Sequence, residues 1–131
     1  MASIFSKIVS GELPCYKIHE TENCLAFLDI SPLCLGHALV VPKKEVDSIF
    51  DVEFNIYNEL WALTKQVAKA IEISVACERV GIAVIGLEIA HAHVHLVPLL
   101  SLEDINFSNP KISLTSHEME SISEKIRASI K

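Results

Sequence analysis

Apolar and polar residues recur with two different periods along this chain, and the switches between them mark out its elements. Ile4, Phe5 and Ile8 fit one face of a short helix over residues 3–10, which Pro14 stops from continuing. Residues 16–19 and 23–28 read as a hairpin around the polar Glu20, Thr21 and Glu22. Residues 36–42 read as a third strand with His37, Leu39 and Val41 on one face. The period then lengthens. Phe54, Tyr57, Leu60, Trp61, Thr64, Val67, Ala68 and Ile71 recur at three- and four-residue steps behind Asp51 as cap, predicting a long scaffold helix with one buried stripe. Residues 80–85 and 91–99 return to strand character and are joined through Gly86, Leu87 and Glu88. Residues 101–114 are polar and carry no clear period. Thr115 and Glu118 then form a capping box ahead of Met119, Ile122, Ile126 and Ile130 at helical spacing.

Strands in direct succession, a helix, then two more strands predict an α+β fold: a five-stranded, largely antiparallel sheet with helices packed to one side. With 131 residues, half of them apolar, the chain reads as a single domain over 1–131. Residues 1–100 form its core, and 101–131 a C-terminal extension with a helix.

Composition narrows the function. No uninterrupted apolar run reaches the ~18 residues of a membrane span, and the opening apolar run is too short for a signal peptide. Cys15, Cys24, Cys34 and Cys77 show no paired spacing and suit reduced thiols, so a cytoplasmic location with no membrane partner is expected. A net charge of −6, with Lys43–Lys44 the only adjacent basic pair, argues against a nucleic-acid surface. A small nucleotide is still admissible, since one phosphate needs only a few well-placed donors.

His91, His93 and His95 supply the chemistry. In a strand their two-residue spacing turns three imidazoles to one face and Ala92, Val94 and Leu96 to the other. Adjacent imidazoles pack poorly and repel when protonated, so structure alone does not account for them. Two readings stay open at this point: a metal site, or nucleophilic catalysis by the central ring.

The run His91–Ala92–His93–Val94–His95–Leu96–Val97 resembles the signature of the histidine-triad (HIT) superfamily of nucleotide hydrolases and transferases. Phe27–Leu28–Asp29–Ile30–Ser31–Pro32, Gly36–His37–Ala38–Leu39–Val40–Val41–Pro42–Lys43–Lys44 and the opening Ile4–Phe5–Ser6–Lys7–Ile8 are similar to its other blocks. The resemblance implies a homodimer with a ten-stranded sheet and an AMP-type purine nucleotide as substrate. It implies that His93 attacks the α-phosphorus to give a nucleotidyl-histidine, that His91 and His95 contact phosphate or move protons, and that His37 supports them. Which ring protonates the leaving group is open. By the same resemblance Asp29 holds the ribose hydroxyls, and Phe5, Ile8, Phe27, Ile30 and Leu39 flank the base. Glu88 and Ile89, just ahead of the triad, complete the nucleotide-binding set.

Two departures matter. Val80 and Glu88 stand where many members carry Asn and a hydroxyl residue, and a carboxylate beside a phosphate is repulsive, which points to a cationic amine as leaving group or to weakened catalysis. Ser3, Ser6 and Glu45 stand where zinc-containing members carry two cysteines and a histidine. They are poor zinc ligands, so neither metal nor other cofactor is expected. The chain is therefore expected to hydrolyse nucleoside phosphoramidates or related nucleoside monophosphate derivatives. The alternatives are dinucleoside polyphosphate cleavage, nucleotide transfer to another acceptor, a purine-nucleotide sensor or interaction module with little catalysis, or a histidine-rich metal binder.

Overall fold

The computed structural model describes residues 2–131 and has the expected α+β architecture. A short helix α1 (Ile4–Val9) leads into β1 (Lys17–Glu20), β2 (Cys24–Leu28) and β3 (Ala38–Pro42). The long helix α2 (Phe54–Ser74), β4 (Arg79–Ala83), β5 (Val94–Leu99) and α3 (Ser116–Ala128) follow. All pairings are antiparallel in the order β1-β2-β3-β5-β4, which sets β5 beside β3 and leaves β4 on an edge.

Strict alternation along the strands builds two apolar layers. Ala26 and Leu28 of β2, Ala38 and Val40 of β3, and Val94 and Leu96 of β5 pack with Leu60, Leu63, Val67 and Ile71 of α2 and Met119, Ile122 and Ile126 of α3. The opposite face carries Leu25, Phe27, Leu39 and Val41, covered by Phe5 of α1. Helices therefore cover both faces, contrary to the one-sided packing expected. Six residues are enough for α1 because one buried aromatic anchors it.

The second layer is where the functional side chains gather. Leu39 pairs with His95 across β3 and β5, so the last histidine of the triad stands on the face away from α2. Gly36 leads into β3 with φ of +92°, and a Cβ there would lie 2.9 Å from Val75 Cγ2. Only glycine fits this turn without strain, and the turn delivers His37 to its place.

Several boundaries and burials differ from the sequence expectation. Asp51 does not cap α2: it ends a single 3-10 turn (Ile49–Asp51) capped by Ser48, and Glu53 precedes α2 without a side-chain cap bond. Phe54 is 73% exposed, outside the buried stripe, and Ile4 also faces solvent. β5 begins at Val94 rather than at residue 91. The backbone before it leaves the ladder because Ala92 N–H donates to Val46 O (2.7 Å) and the His91 carbonyl accepts from the His93 ring (2.8 Å). The capping box of α3 forms between Thr115 and Glu118 as expected.

Candidate active site

The triad is built from two local devices. His91 is fully buried, and its Nε2–H donates to Pro42 O at the end of β3 (2.8 Å). A carbonyl only accepts, so the proton of neutral His91 sits on Nε2 and Nδ1 offers a lone pair. Ser3 Oγ–H, at the start of α1, donates to that Nδ1 (2.7 Å). His93 repeats the logic one step on: its Nδ1–H donates to His91 O (2.8 Å), which directs the Nε2 lone pair outward. Phe5 stands edge-on to both rings, with centroids 5.7 Å from His91 and 4.9 Å from His93.

The second device is a histidine pair. Leu33 N–H donates to His37 Nδ1 (3.0 Å), so the His37 proton sits on Nε2 and points at His95 Nδ1, 3.0 Å away. His95 then presents Nε2–H, next to His93 with ring centroids 4.9 Å apart. The site thus sets a nucleophilic lone pair on His93 beside an N–H donor on His95. Burial pushes the His37 pKa down to about 3, with His95 adding to it. Burial and the neighbouring His93 push His95 down to about 4. Both rings are neutral at pH 7.

Asp29 lies at the end of this pair, its Oδ2 3.5 Å from His37 Nε2, while Oδ1 accepts from Ser31 N–H (2.8 Å). Burial raises its pKa, opposed by the Ser31 bond and His93. Donor atoms of Asp29, His37 and His95 lie within 4.8 Å of one another, the one such metal-sized cluster among the described residues. The tautomer works against a cation there. Leu33 N–H occupies the Nδ1 lone pair of His37, so Nε2 carries the proton and has no electron pair to give.

The remaining sequence-predicted residues divide by burial. Phe5, Phe27 and Leu39 are buried in the apolar layer, with Ile8 and Ile89 half-buried against it. Ile30 is 70% exposed beside Asp29, open to a planar ligand. Glu88 is exposed in the loop between β4 and the triad. A cavity of about 250 Å³ opens beside His93, walled by Asp47, Ser48, Phe50, Val84 and Ile85. A larger groove of about 500 Å³ runs along α2 near Lys65, Lys69 and Lys131 and is lined by no histidine, aspartate or glutamate side chain.

Sequence reasoning missed Phe107 and Lys111. The unperiodic segment after β5 brings the Phe107 ring edge-on to His95 (4.7 Å) and to His37 (6.2 Å). The segment is tied back by Ile112 N–H to Pro32 O (2.9 Å), and the Lys111 ammonium acts on Asp29, His37 and His95 through space. A lone aromatic in a polar stretch was the only signal.

Three alternating histidines, a fourth paired to the last of them and an aspartate at its side make up this site, and comparison with known proteins assigns the chain that carries it to a family. The family model of the HIT domain covers residues 10–101. The chain belongs to the HIT family. This HIT protein is 34% identical to the adenosine 5'-monophosphoramidase hnt1 of Schizosaccharomyces pombe over the whole of both chains. Among solved structures it is similar to a zinc-bound histidine triad family protein from Mycobacterium smegmatis, with TM-score 0.83 and 28% identity over 98% of this chain and 93% of that one. A Hit-like protein from Bartonella henselae shares the fold at TM-score 0.86 and 24% identity, over 98% and 96% of the two chains.

Proposed function

We propose that this HIT protein hydrolyses AMP-type nucleoside phosphoramidates through a nucleotidyl-histidine on His93. The observation that carries the reading is the bond from His93 Nδ1–H to His91 O, which leaves the Nε2 lone pair free to act as a nucleophile. Nε2 attacks the α-phosphorus, the P–N bond breaks, and the amine leaves with a proton. Water then cleaves the P–N bond to His93 and releases AMP. His95 Nε2–H donates to a phosphoryl oxygen. A bound phosphate anion favours the protonated form of His95, which lets that ring carry the leaving group's proton.

Asp29 accepts two hydrogen bonds from a ribose diol, and the base lies against Ile30, Ile8 and Ile89 over the Phe5–Phe27–Leu39 layer. The leaving group enters the cavity beside His93, where Asp47 lines the wall and Glu88 follows in the same loop as Ile85. The Asp47 carboxylate in that wall, with the exposed Glu88 two residues beyond Gly86, favours a cationic amine. No step uses a metal.

A homodimer through the β4 edge completes the reading. The β4 edge and the chain around it expose Ile82, Val84, Ile85, Leu87, Phe50 and Phe54, of which Phe50, Val84 and Ile85 share one cavity wall. An unpaired edge bearing apolar side chains is a pairing surface. On the opposite edge, β1 is flanked by the Lys17–Glu20 and Lys43–Glu20 ion pairs and capped at Lys17 O by Arg127. Four free thiols support a reducing, cytoplasmic location.

The test is AMP release from adenosine 5'-phosphoramidate by wild type and His93→Ala, with AMP binding measured on both. Turnover by wild type, lost in a variant that still binds AMP, is the expected result. Binding without turnover in wild type supports a nucleotide sensor instead.

A further inference from the structure

We infer that Ser3, Ser6 and Glu45 form a metal-free clasp that holds His91, and through it the nucleophile His93, in register; Glu45 is its anchor and a positioning residue. The inference rests on the reading of His93 as nucleophile.

The clasp is a closed chain of donors. Glu45 Oε1 accepts from Ser3 N–H (2.6 Å) and from Ser6 Oγ–H (2.7 Å). Ser6 N–H donates to Ser3 Oγ (3.0 Å), and Ser3 Oγ–H has its one proton left for His91 Nδ1 (2.7 Å). His91 passes the order on, from Nε2–H to Pro42 O and from its own carbonyl to the His93 ring. Ser6 Oγ also lies 3.5 Å from His91 Nδ1, but its shorter contact is the 2.7 Å bond to Glu45, which takes its proton and leaves His91 to Ser3. Turning the Ser3 hydroxyl away would leave the His91 Nδ1 lone pair facing an oxygen lone pair at 2.7 Å.

Glu45 also joins segments far apart in sequence. It ties the start of α1 to the chain leaving β3, and α1 brings Phe5 against the His93 ring. Slackening the clasp would therefore loosen His93 from two directions: the bond at Nδ1 and the aromatic wall. Outer partners that fix the ring orientation of metal-ligating histidines are worth about ten- to a hundredfold in affinity or activity, and the clasp acts on the His91 ring in the same way.

The same residues do not fit a zinc ion. Serine hydroxyls stay protonated at neutral pH, the set contains no thiolate, and the His91 lone pair is already taken by Ser3. The clasp does by hydrogen bonding what a bound ion would do by coordination. Its carboxylate is ionised through neutral pH, since the Ser3 N–H and Ser6 hydroxyl hold its pKa below the usual range.

The experiment compares Glu45→Ala, Glu45→Gln and Ser3→Ala in the full chain by steady-state kinetics on adenosine 5'-phosphoramidate and by ¹⁵N spectra of the histidine rings. The expected result is a kcat lower by about tenfold or more in Glu45→Ala and Ser3→Ala with KM changed little. Glu45→Gln, whose amide oxygen accepts the same bonds, recovers most of the loss. The His91 Nδ1 and His93 Nδ1–H signals should shift in the two alanine variants. If Glu45→Ala fails to fold, Ser3→Ala and the glutamine variant decide. Wild-type kcat together with unmoved His93 ring signals overturns the clasp and leaves the nucleophile standing. Absent wild-type turnover with shifted ring signals does the reverse.

Discussion

His37 donates Nε2–H to His95 Nδ1 across 3.0 Å, and Leu33 N–H on the far side of His37 fixes which nitrogen holds the proton. The pair is neutral, buried and directional. It turns His95 into a donor aimed at the space in front of His93, and it makes stability depend on pH.

That dependence has a definite sign. His37 has a folded pKa of about 3 against an ordinary 6.5, so acid protonates the unfolded chain first. Its stabilising contribution is complete above pH 6.5 and is lost as pH falls toward 3. Urea unfolding of wild type and His37→Gln from about pH 7.5 to about pH 4 should show wild type losing roughly 3 kcal/mol more than the variant, at about 1.4 kcal/mol per pH unit. Parallel curves would mean that His37 is not held neutral.

Phe107 seals the same pair from outside. Burial is the largest cause of the low His95 pKa, and Phe107 packs edge-on 4.7 Å from that ring. Phe107→Ala should admit water and move the His95 titration, followed by its ring proton resonances, upward from about 4 toward 6.5. It should cost about 1 kcal/mol of stability from the lost aromatic pair. An unmoved titration would assign the desolvation of His95 to the sheet alone.

Glu88 tests the leaving-group side. Glu88 is exposed two residues beyond Gly86 of the cavity wall, and a carboxylate that reaches a cationic amine attracts it by up to about 1 kcal/mol in water-like surroundings, or about fivefold. Glu88→Ser should lower kcat/KM for an aminoalkyl phosphoramidate relative to a neutral alkyl one by a few-fold, with most of the change in neutral-substrate rate being a gain. Equal effects on both substrates would remove Glu88 from leaving-group selection.

The β4 edge tests assembly. Ile82 is 48% exposed and Leu87 89% exposed, and a charge at either position is cheap in a monomer and costly inside an apolar interface. Sedimentation of Ile82→Lys and Leu87→Asp should give monomers where wild type gives dimers. A wild-type monomer, or dimers unaffected by both changes, would place the contact elsewhere.

Much of the fold was legible from periodicity. The two-residue spacing of His37, Leu39 and Val41 and of Ala92, Val94 and Leu96 assigned those strands their faces, and the stripe from Leu60 to Ile71 located α2. The continuous apolar run Leu25 to Leu28 gave its strand no face until the sheet was formed. Local competition hid the ends. Ser48 starts a 3-10 turn that takes Asp51 before α2 begins, and the carbonyl of His91 bonds the His93 ring instead of a neighbouring strand. The histidine spacing pointed to the site, while the rings' tautomers did not follow from it. They depend on Leu33 N–H, Pro42 O and Ser3 Oγ, and the last two reach His91 from 49 and 88 residues away. Phe107 was hidden for the same reason, since only the tie between Ile112 and Pro32 returns its segment to the site.

The most direct test of the account is intact-protein mass spectrometry of material quenched without acid within the first turnovers on adenosine 5'-phosphoramidate, with peptide mapping of the adduct. The account predicts one adenylyl group per chain, mapped to His93, absent from His93→Ala and chased away by further incubation in water. Turnover proceeding with no adduct at any time, or an adduct on His95 that persists in His93→Ala, would contradict it.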